Sequence, residues 1–226
     1  MSDTIRAAFY DFDGTLVSSN VVTRYAYFAR NHPSRPVAAW RFGKLLLTVP
    51  FWLALDLYSR RLFNRLFYRE YGGLAKQWLF QESEELFRAE VEPKIYPGAQ
   101  ALVDADRKAG FRLVLVSGGL DFALEPAVRR FGFDDLISNR LLYADGIATG
   151  QVAPPLLAEE QKVQAMHDYC RKYNVDKEHS KAYSDSFSDL PMLEAVGLPA
   201  AVHPDRRLKR TATERGWAVL DLKNPA

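Results

Sequence analysis

Two aspartates one residue apart, Asp11 and Asp13, close an apolar run that begins at Ile5, and Gly14-Thr15 follows them directly. Carboxylates at that spacing suit metal-assisted phosphoryl transfer, in which one attacks phosphorus and the other carries a proton to the leaving oxygen. On a regular strand the two side chains point to opposite faces, so the chain must bend at or after Asp11 for both to meet one ligand. Gly14 supplies the backbone freedom for that bend. A polar strand end followed by a turn has the same composition, so the pentapeptide alone leaves both readings open.

The partners such chemistry needs are present. A phosphate monoester is dianionic and repels an attacking carboxylate, so a divalent cation, a fixed ammonium and hydrogen-bond donors must surround it. Asp11 and Asp185 offer hard oxygen ligands suited to Mg²⁺. Ser117, Gly118 and Gly119 offer a hydroxyl and accessible backbone N–H groups as an anion cradle. Lys162 supplies compact positive charge, and Asp189 can orient that lysine or the metal's water. Lys172, Lys177 and Lys181 are alternatives for the lysine. Lys162 is preferred because it opens a helix after the Pro154-Pro155 loop, whereas Lys172 and Lys177 read as solvated.

The elements around these residues change character twice. Residues 4–16 read as a strand and an acidic loop. From Val17 to about Glu92 the pattern is almost entirely helical, and from Tyr96 onward helix and strand alternate. Pro97-Gly98 opens a helix to Lys108 that Gly110 closes. Phe111 to Val116 is a continuous apolar strand ending at Ser117, and a helix runs from Asp121 to Phe131. Residues 137–152 read as a hairpin around Asp145-Gly146. Leu157 to Tyr173 is helical, Lys181 to Tyr183 is a strand ending at Ser184-Asp185, and Pro191 to Val196 is a helical turn. Ala200 to Val202 and Trp217 to Leu222 are the last strands. The alternation implies an α/β fold with a mostly parallel sheet, which binds ligands at the carboxyl ends of its strands. Asp11, Ser117 and Asp185 each fall just past such an end. The helical insertion at 17–92 should sit over them as a cap, leaving 1–16 and 93–226 as the core.

Asp11-Phe-Asp-Gly-Thr15, Ser117-Gly-Gly, Lys162 and Asp185-Ser-Phe-Ser-Asp189-Leu-Pro-Met-Leu together resemble the four ordered motifs of the haloacid dehalogenase superfamily. The resemblance spans roughly residues 5–205 and is closest to the phosphoserine-phosphatase-like branch (subfamily IB). It implies a Rossmann-like three-layer core with a C1-type helical cap, and a phosphoric monoester hydrolase using Mg²⁺. By the resemblance Asp11 is the nucleophile that becomes an aspartyl-phosphate, and Asp13 is the general acid and then the base that activates water. Asp11, Asp185 and the Asp13 carbonyl hold the metal, and Ser117 and Lys162 bind the phosphoryl group. The acid at Asp13 favours a phosphatase over the dehalogenases of the superfamily, which lack it.

The chain departs from that branch at two places. Asn20 stands where a Glu meets the substrate ammonium, and Ser188 where Asn precedes the last aspartate. Losing the charge at position 20 relaxes selection for an aminium group, so the expected substrate is a small phosphorylated metabolite other than strictly phosphoserine. Arg61, Arg65 and Arg69 fall four apart, either as an anion-gathering edge of the cap or as a solvated helix face. Trp40, Trp52 and the apolar run Leu45–Leu55 read as cap core or as a rim for an apolar or lysophospholipid leaving group. That run contains Pro50 and is shorter than the roughly 20 residues a spanning helix needs. It reads as a buried or interfacial helix pair hinged at the proline, without stable membrane insertion.

At 26% charged and 48% hydrophobic the 226-residue chain has the composition of a folded domain. Its net charge of +2 points to no nucleic-acid partner, nor does the Arg206, Arg207, Lys209, Arg210 cluster, which has no accompanying groove-binding motif. The lone cysteine, Cys170, sits in a helical apolar pattern as a core residue and fits a reducing compartment. No signal peptide is visible, and a cytoplasmic protein is the expectation. A lysophospholipid phosphatase, a phosphoserine phosphatase and a phosphate- or metal-binding scaffold without turnover are the alternatives. The oligomeric state is left open.

Overall fold

Every residue of β1 (Ala7–Tyr10) is buried, as a strand covered on both faces requires. The computed structural model describes residues 4–224. After β1 come the helices α1 (Val21–Arg30), α2 (Arg35–Tyr58), α3 (Arg60–Phe67), α4 (Lys76–Gln81) and α5 (Ser83–Leu86), with short helical turns up to Lys94. The alternating part then runs α6 (Ala99–Lys108), β2 (Arg112–Leu120), α7 (Asp121–Phe131), β3 (Asp135–Asn139), β4 (Leu141–Ala144), β5 (Ile147–Val152) and α8 (Glu160–Tyr173). It ends with β6 (Lys181–Ser184), α9 (Leu190–Glu194), β7 (Leu198–Val202), α10 (Arg206–Glu214) and β8 (Ala218–Leu220).

Six strands form one parallel sheet in the order β3-β2-β1-β6-β7-β8, and β4 and β5 pair separately as an antiparallel hairpin. Alternate residues of β1 enter different cores. Ala8 and Tyr10 pack with α6 and α7, and Ala7 and Phe9 with α8, α9 and α10. The result is the three-layer α/β arrangement expected from the alternation. The chain reverses direction across the sheet between β1 and β6, which leaves a crevice at their carboxyl ends. Asp11 follows β1, and its N–H continues the ladder to the Tyr183 carbonyl at 2.9 Å. Asp106 of α6 pins the two strands from below. Its buried carboxylate accepts from the Tyr10 and Tyr183 hydroxyls and from Lys181.

A third core joins the inserted helices to the rest. Tyr25, Phe28, Trp52, Phe63 and Tyr71 pack with Leu120, Phe122 and Ala123 around the start of α7, and with Leu141 and Ala148 of the hairpin. Backbone hydrogen bonds cross the same boundary: Gly73 N–H to Ala148 O, Ala148 N–H to Leu74 O and Lys76 N–H to Gly146 O, each 2.8 Å.

Four expectations need correction. The apolar run is not a hinged pair. α2 is one 24-residue helix that passes through Pro50, where the lost backbone hydrogen bond falls on an exposed stretch and water can take up the freed carbonyl. Nor is it buried: only Leu45 and Trp52 of its residues are, and Trp40 is 72% exposed. By length and composition α2 is also long and apolar enough to cross a membrane, longer than the run read from the sequence. Finally, residues 137–139 belong to β3, a half-buried edge strand of the main sheet, and only β4 and β5 form the hairpin. β3 lacked the apolar run that marks a central strand.

Candidate active site

Asp11, Asp13, Ser117, Gly118, Gly119, Lys162, Asp185, Ser188 and Asp189 line one cavity at the carboxyl ends of β1, β2 and β6. Lys162 is its electrostatic centre. Its ammonium is buried and donates to Asp11 Oδ1 at 2.7 Å and to Asp189 Oδ2 at 3.0 Å. Asp189 is fixed in turn by the Ser184 hydroxyl, which donates to Oδ2 at 2.8 Å. Burial opposes the charge on Lys162, but Asp11 and Asp189 outweigh it and hold the ammonium well above its usual range. The alternative lysines lie elsewhere: Lys172 and Lys177 are exposed, and Lys181 pairs with Asp106.

The carboxylates on the other side of Asp11 are crowded. Burial pushes Asp11 up to about 6 against the pull of Lys162, with Asp189 and Asp13 adding to the rise. Burial, then the charges of Asp11 and Asp189, push Asp185 up to about 8. The Thr15 hydroxyl reaches both, 3.4 Å from Asp11 Oδ2 and 3.2 Å from Asp185 Oδ1. Asp185 also explains Gly14. A Cβ there would lie 2.1 Å from Asp185 Oδ2, and Gly14 holds φ +86°. Buried carboxylates that resist ionising together fit a cation between them. Among the described residues no three or more His, Cys, Asp or Glu side chains form a metal cage. Two carboxylates, a backbone carbonyl and water suit Mg²⁺, which binds few protein ligands.

Gly118 and Gly119 sit where a side chain would be tightly flanked. A Cβ at Gly118 would meet Asn64 Nδ2 at 3.1 Å, and one at Gly119 would meet Leu124 at 3.0 Å and an Arg24 nitrogen at 3.4 Å. The Ser117 hydroxyl accepts from Gly119 N–H at 3.1 Å. The Gly118 carbonyl accepts from the Asn139 amide at 2.7 Å and from the Tyr68 hydroxyl, which ties the cradle to the inserted helices.

Several site residues were not anticipated. Arg24 of α1 is buried and grips Asp13 with both terminal nitrogens, NH1 to Oδ1 at 2.7 Å and NH2 to Oδ2, and Ser19 adds a bond to Oδ1 at 3.2 Å. Val21, Arg60, Asn64, Glu159 and Ser186 also line the cavity, with Leu157 and Ala158 completing its wall. Arg60 and Asn64 are four apart on α3, next to the buried Phe63 and Phe67. That apolar stripe is the signal that identifies the inward phase of the helix. Arg61, Arg65 and Arg69 lie one residue out of that phase and are exposed, so they do not line the cavity. Asn20 does not line it either. Its side-chain oxygen accepts from Val22 and Thr23 N–H as the N-cap of α1. Glu159 holds φ +50° beside Lys162, a strained conformation that no sequence pattern announces.

A family model described as haloacid dehalogenase-like hydrolase matches residues 8–194. The chain is 38% identical over 135 residues to a probable phosphatase of Mycobacterium tuberculosis, covering 60% of this chain and 47% of that protein. It is 28% identical over 228 residues to a phosphoserine phosphatase of the same organism, covering 98% and 72% respectively. A Streptomyces azureus protein named for inhibition of morphological differentiation is 34% identical over 159 residues, 68% of this chain and 57% of that one. The chain therefore spans about half the length of several curated relatives it matches. Among solved structures, a Bordetella pertussis protein superposes with a TM-score of 0.81 at 27% identity, covering 97% of this chain and all of that one. A phosphoserine phosphatase captured as a phospho-aspartyl intermediate analogue shares the fold, with a TM-score of 0.66 at 21% identity over 98% of this chain and 95% of that one. With its matched segment covering most of its length, this chain belongs to the haloacid dehalogenase-like hydrolase family.

Proposed function

We propose that the protein is a Mg²⁺-dependent phosphatase that cleaves a small phosphomonoester through an aspartyl-phosphate on Asp11. The observation that carries this reading is the buried Lys162 bridge between Asp11 and Asp189, set beside Asp185 and the Ser117–Gly119 cradle in one cavity. Asp11, Asp185 and the Asp13 carbonyl would hold Mg²⁺, which offsets the repulsion between a carboxylate and a phosphoryl dianion. An Asp11 oxygen bonds to phosphorus as the ester bond breaks, and Asp13 delivers a proton to the departing alkoxide. Asp13 then takes a proton from the water that attacks phosphorus, the bond to Asp11 breaks, and inorganic phosphate leaves. Ser117 and Lys162 hold the phosphoryl oxygens, and Asp189 keeps Lys162 in place. The helices between residues 17 and 92 act as the cap that closes over the ester.

The cavity wall bears on the leaving group. Asn20 is turned into a helix cap, so its lack of charge does not weigh against an amine-bearing substrate. Glu159 and Arg60 place one anion and one cation on the wall, and some relatives are named phosphoserine phosphatases. Phosphoserine is thus one candidate substrate among small phosphomonoesters. The test is release of phosphate from an aryl phosphate. Wild-type protein should turn over with Mg²⁺ and stop when the metal is chelated. Asp11→Asn should lower kcat by about a thousandfold or more while the circular dichroism stays native. Comparable turnover by Asp11→Asn would end the proposal.

A further inference from the structure

The outer face of α2 is a continuous apolar surface that nothing in the structure covers. Trp40, Leu46, Leu47, Phe51, Leu57 and Tyr58 are 55–90% exposed, and Leu53 adds 52%. They recur at three- and four-residue spacings with Gly43, Pro50 and Ala54 between them, so they share one side of the helix. From Trp40 to Tyr58 that side is about 27 Å long. No charge interrupts it. Of the three charged residues in this stretch, Arg41 turns inward to the Glu70 and Gly72 carbonyls at 2.7 Å each. Lys44 pairs with Glu70, and Asp56 pairs with Arg60. An apolar surface of this extent on a single helix marks an interaction site.

The charge beside it indicates the partner. α2 and α3 fold back on each other at Ser59, with Trp52 against Phe63 and Phe67. α3 exposes Arg61 and Arg65 alongside the half-exposed Leu62, the helical turn after it exposes Arg69, and among the described residues none of these three guanidiniums has an ion-pair partner. An apolar helix face beside unpaired arginines, with an aromatic residue at each end, matches an anionic lipid surface. A second copy of the chain matches it less well, because pairing this face with itself would bring two arginine stripes into one interface. α2 cannot span the bilayer in this fold, since Leu45 and Trp52 are packed into the protein and Arg41 is tied to backbone carbonyls.

We propose that the protein docks on anionic membrane surfaces through the outer face of α2, with Arg61, Arg65 and Arg69 engaging the headgroups. The helix lies in the plane of the interface. Its C-terminal end opens on the cavity: Leu57 and Tyr58 line a groove with Arg60, Ser186 and Ser188, which also line the cavity. Docking therefore places the site mouth beside the lipid headgroups. Docking does not depend on which phosphomonoester is cleaved, because none of the docking residues lines the cavity.

The test is co-sedimentation of the full chain with phosphatidylglycerol/phosphatidylcholine vesicles, and with phosphatidylcholine vesicles alone. Wild-type protein should sediment with the anionic vesicles, and less as salt rises. L47E/F51E should bind about a hundredfold more weakly yet hydrolyse a soluble aryl phosphate at the wild-type rate, since neither residue lines the cavity. Should that variant not fold, R61Q/R65Q/R69Q, which alters only exposed side chains, should lose the preference for anionic over zwitterionic vesicles. Wild-type protein that hydrolyses the aryl phosphate but stays in the supernatant would overturn docking and leave the phosphatase reading intact. Equal binding by wild type and L47E/F51E would also overturn it. So would sedimentation velocity showing a dimer that L47E/F51E dissolves, with no vesicle binding.

Discussion

Asp13 has both carboxylate oxygens in the grip of Arg24, so the residue proposed to deliver a proton is held by a partner that no motif contains. For Asp13 to reach a leaving oxygen, one side of this bidentate pair must open when the ester is bound, while the other keeps the carboxyl aimed. Lysine at position 24 would preserve the charge but lose the fork. Arg24→Lys is expected to lower kcat by roughly tenfold to a hundredfold with a smaller change in KM, and to shift the pH profile of kcat. Steady-state kinetics across pH, with the melting temperature as a control for folding, would check this. A melting-temperature loss with an unchanged pH profile would reduce Arg24 to a structural role. Asp11, Lys162, Asp185 and Asp189 were legible because each follows a strand or opens a helix within a short recognisable string. Arg24, Arg60, Asn64 and Glu159 were not. Their inward orientation depends on helix phase or backbone strain, which the apolar stripe of α3 shows for two of them and nothing shows for Glu159.

At the scale of elements, the crevice depends on β1 and β6 staying in register, and Asp106 holds them there. Its carboxylate serves three donors from both strands while almost completely buried. Removing it leaves two buried hydroxyls and a partly buried ammonium without their acceptor. Asp106→Ala should destabilise the protein by about 3 kcal/mol, and Asp106→Asn, which keeps the shape and one acceptor, by less. Urea denaturation followed by circular dichroism measures both, and a loss below about 1 kcal/mol would show that the strands hold their register without it. Alternation of apolar runs made β1, β2, β6 and β7 readable along with the helices between them. β3 escaped because an edge strand needs no such run. The true length of α2 escaped because Pro50 reads as a break, although an exposed helix tolerates it.

For the whole molecule, the parallel order was implied by the alternation, and the reversal of strand order between the neighbouring β1 and β6 explains why Asp11 and Asp185 meet although 174 positions separate them. What no sequence pattern showed is where the inserted helices stop being separate. Their aromatic core continues into α7 and the β4–β5 hairpin, and backbone hydrogen bonds stitch residues 73–76 to 146–148. Ala75 and Ile147 face each other in an antiparallel bridge, Ile147 is 43% exposed, and the native cysteine is buried elsewhere. A disulfide in A75C/I147C should therefore form without disturbing the site, and oxidised and reduced protein should turn over an aryl phosphate at the same rate. A loss of turnover restored by reductant would show that this seam parts in each cycle. With the seam latched, movement of the inserted helices is left to their other flank, where the groove between the end of α2 and the start of α10 meets the cavity at Arg60, Glu159, Ser186 and Ser188. In the proposed reaction, an ester arriving by that groove and the alcohol and phosphate leaving by it would pass the same four side chains, and the order of their passage would become part of the kinetics.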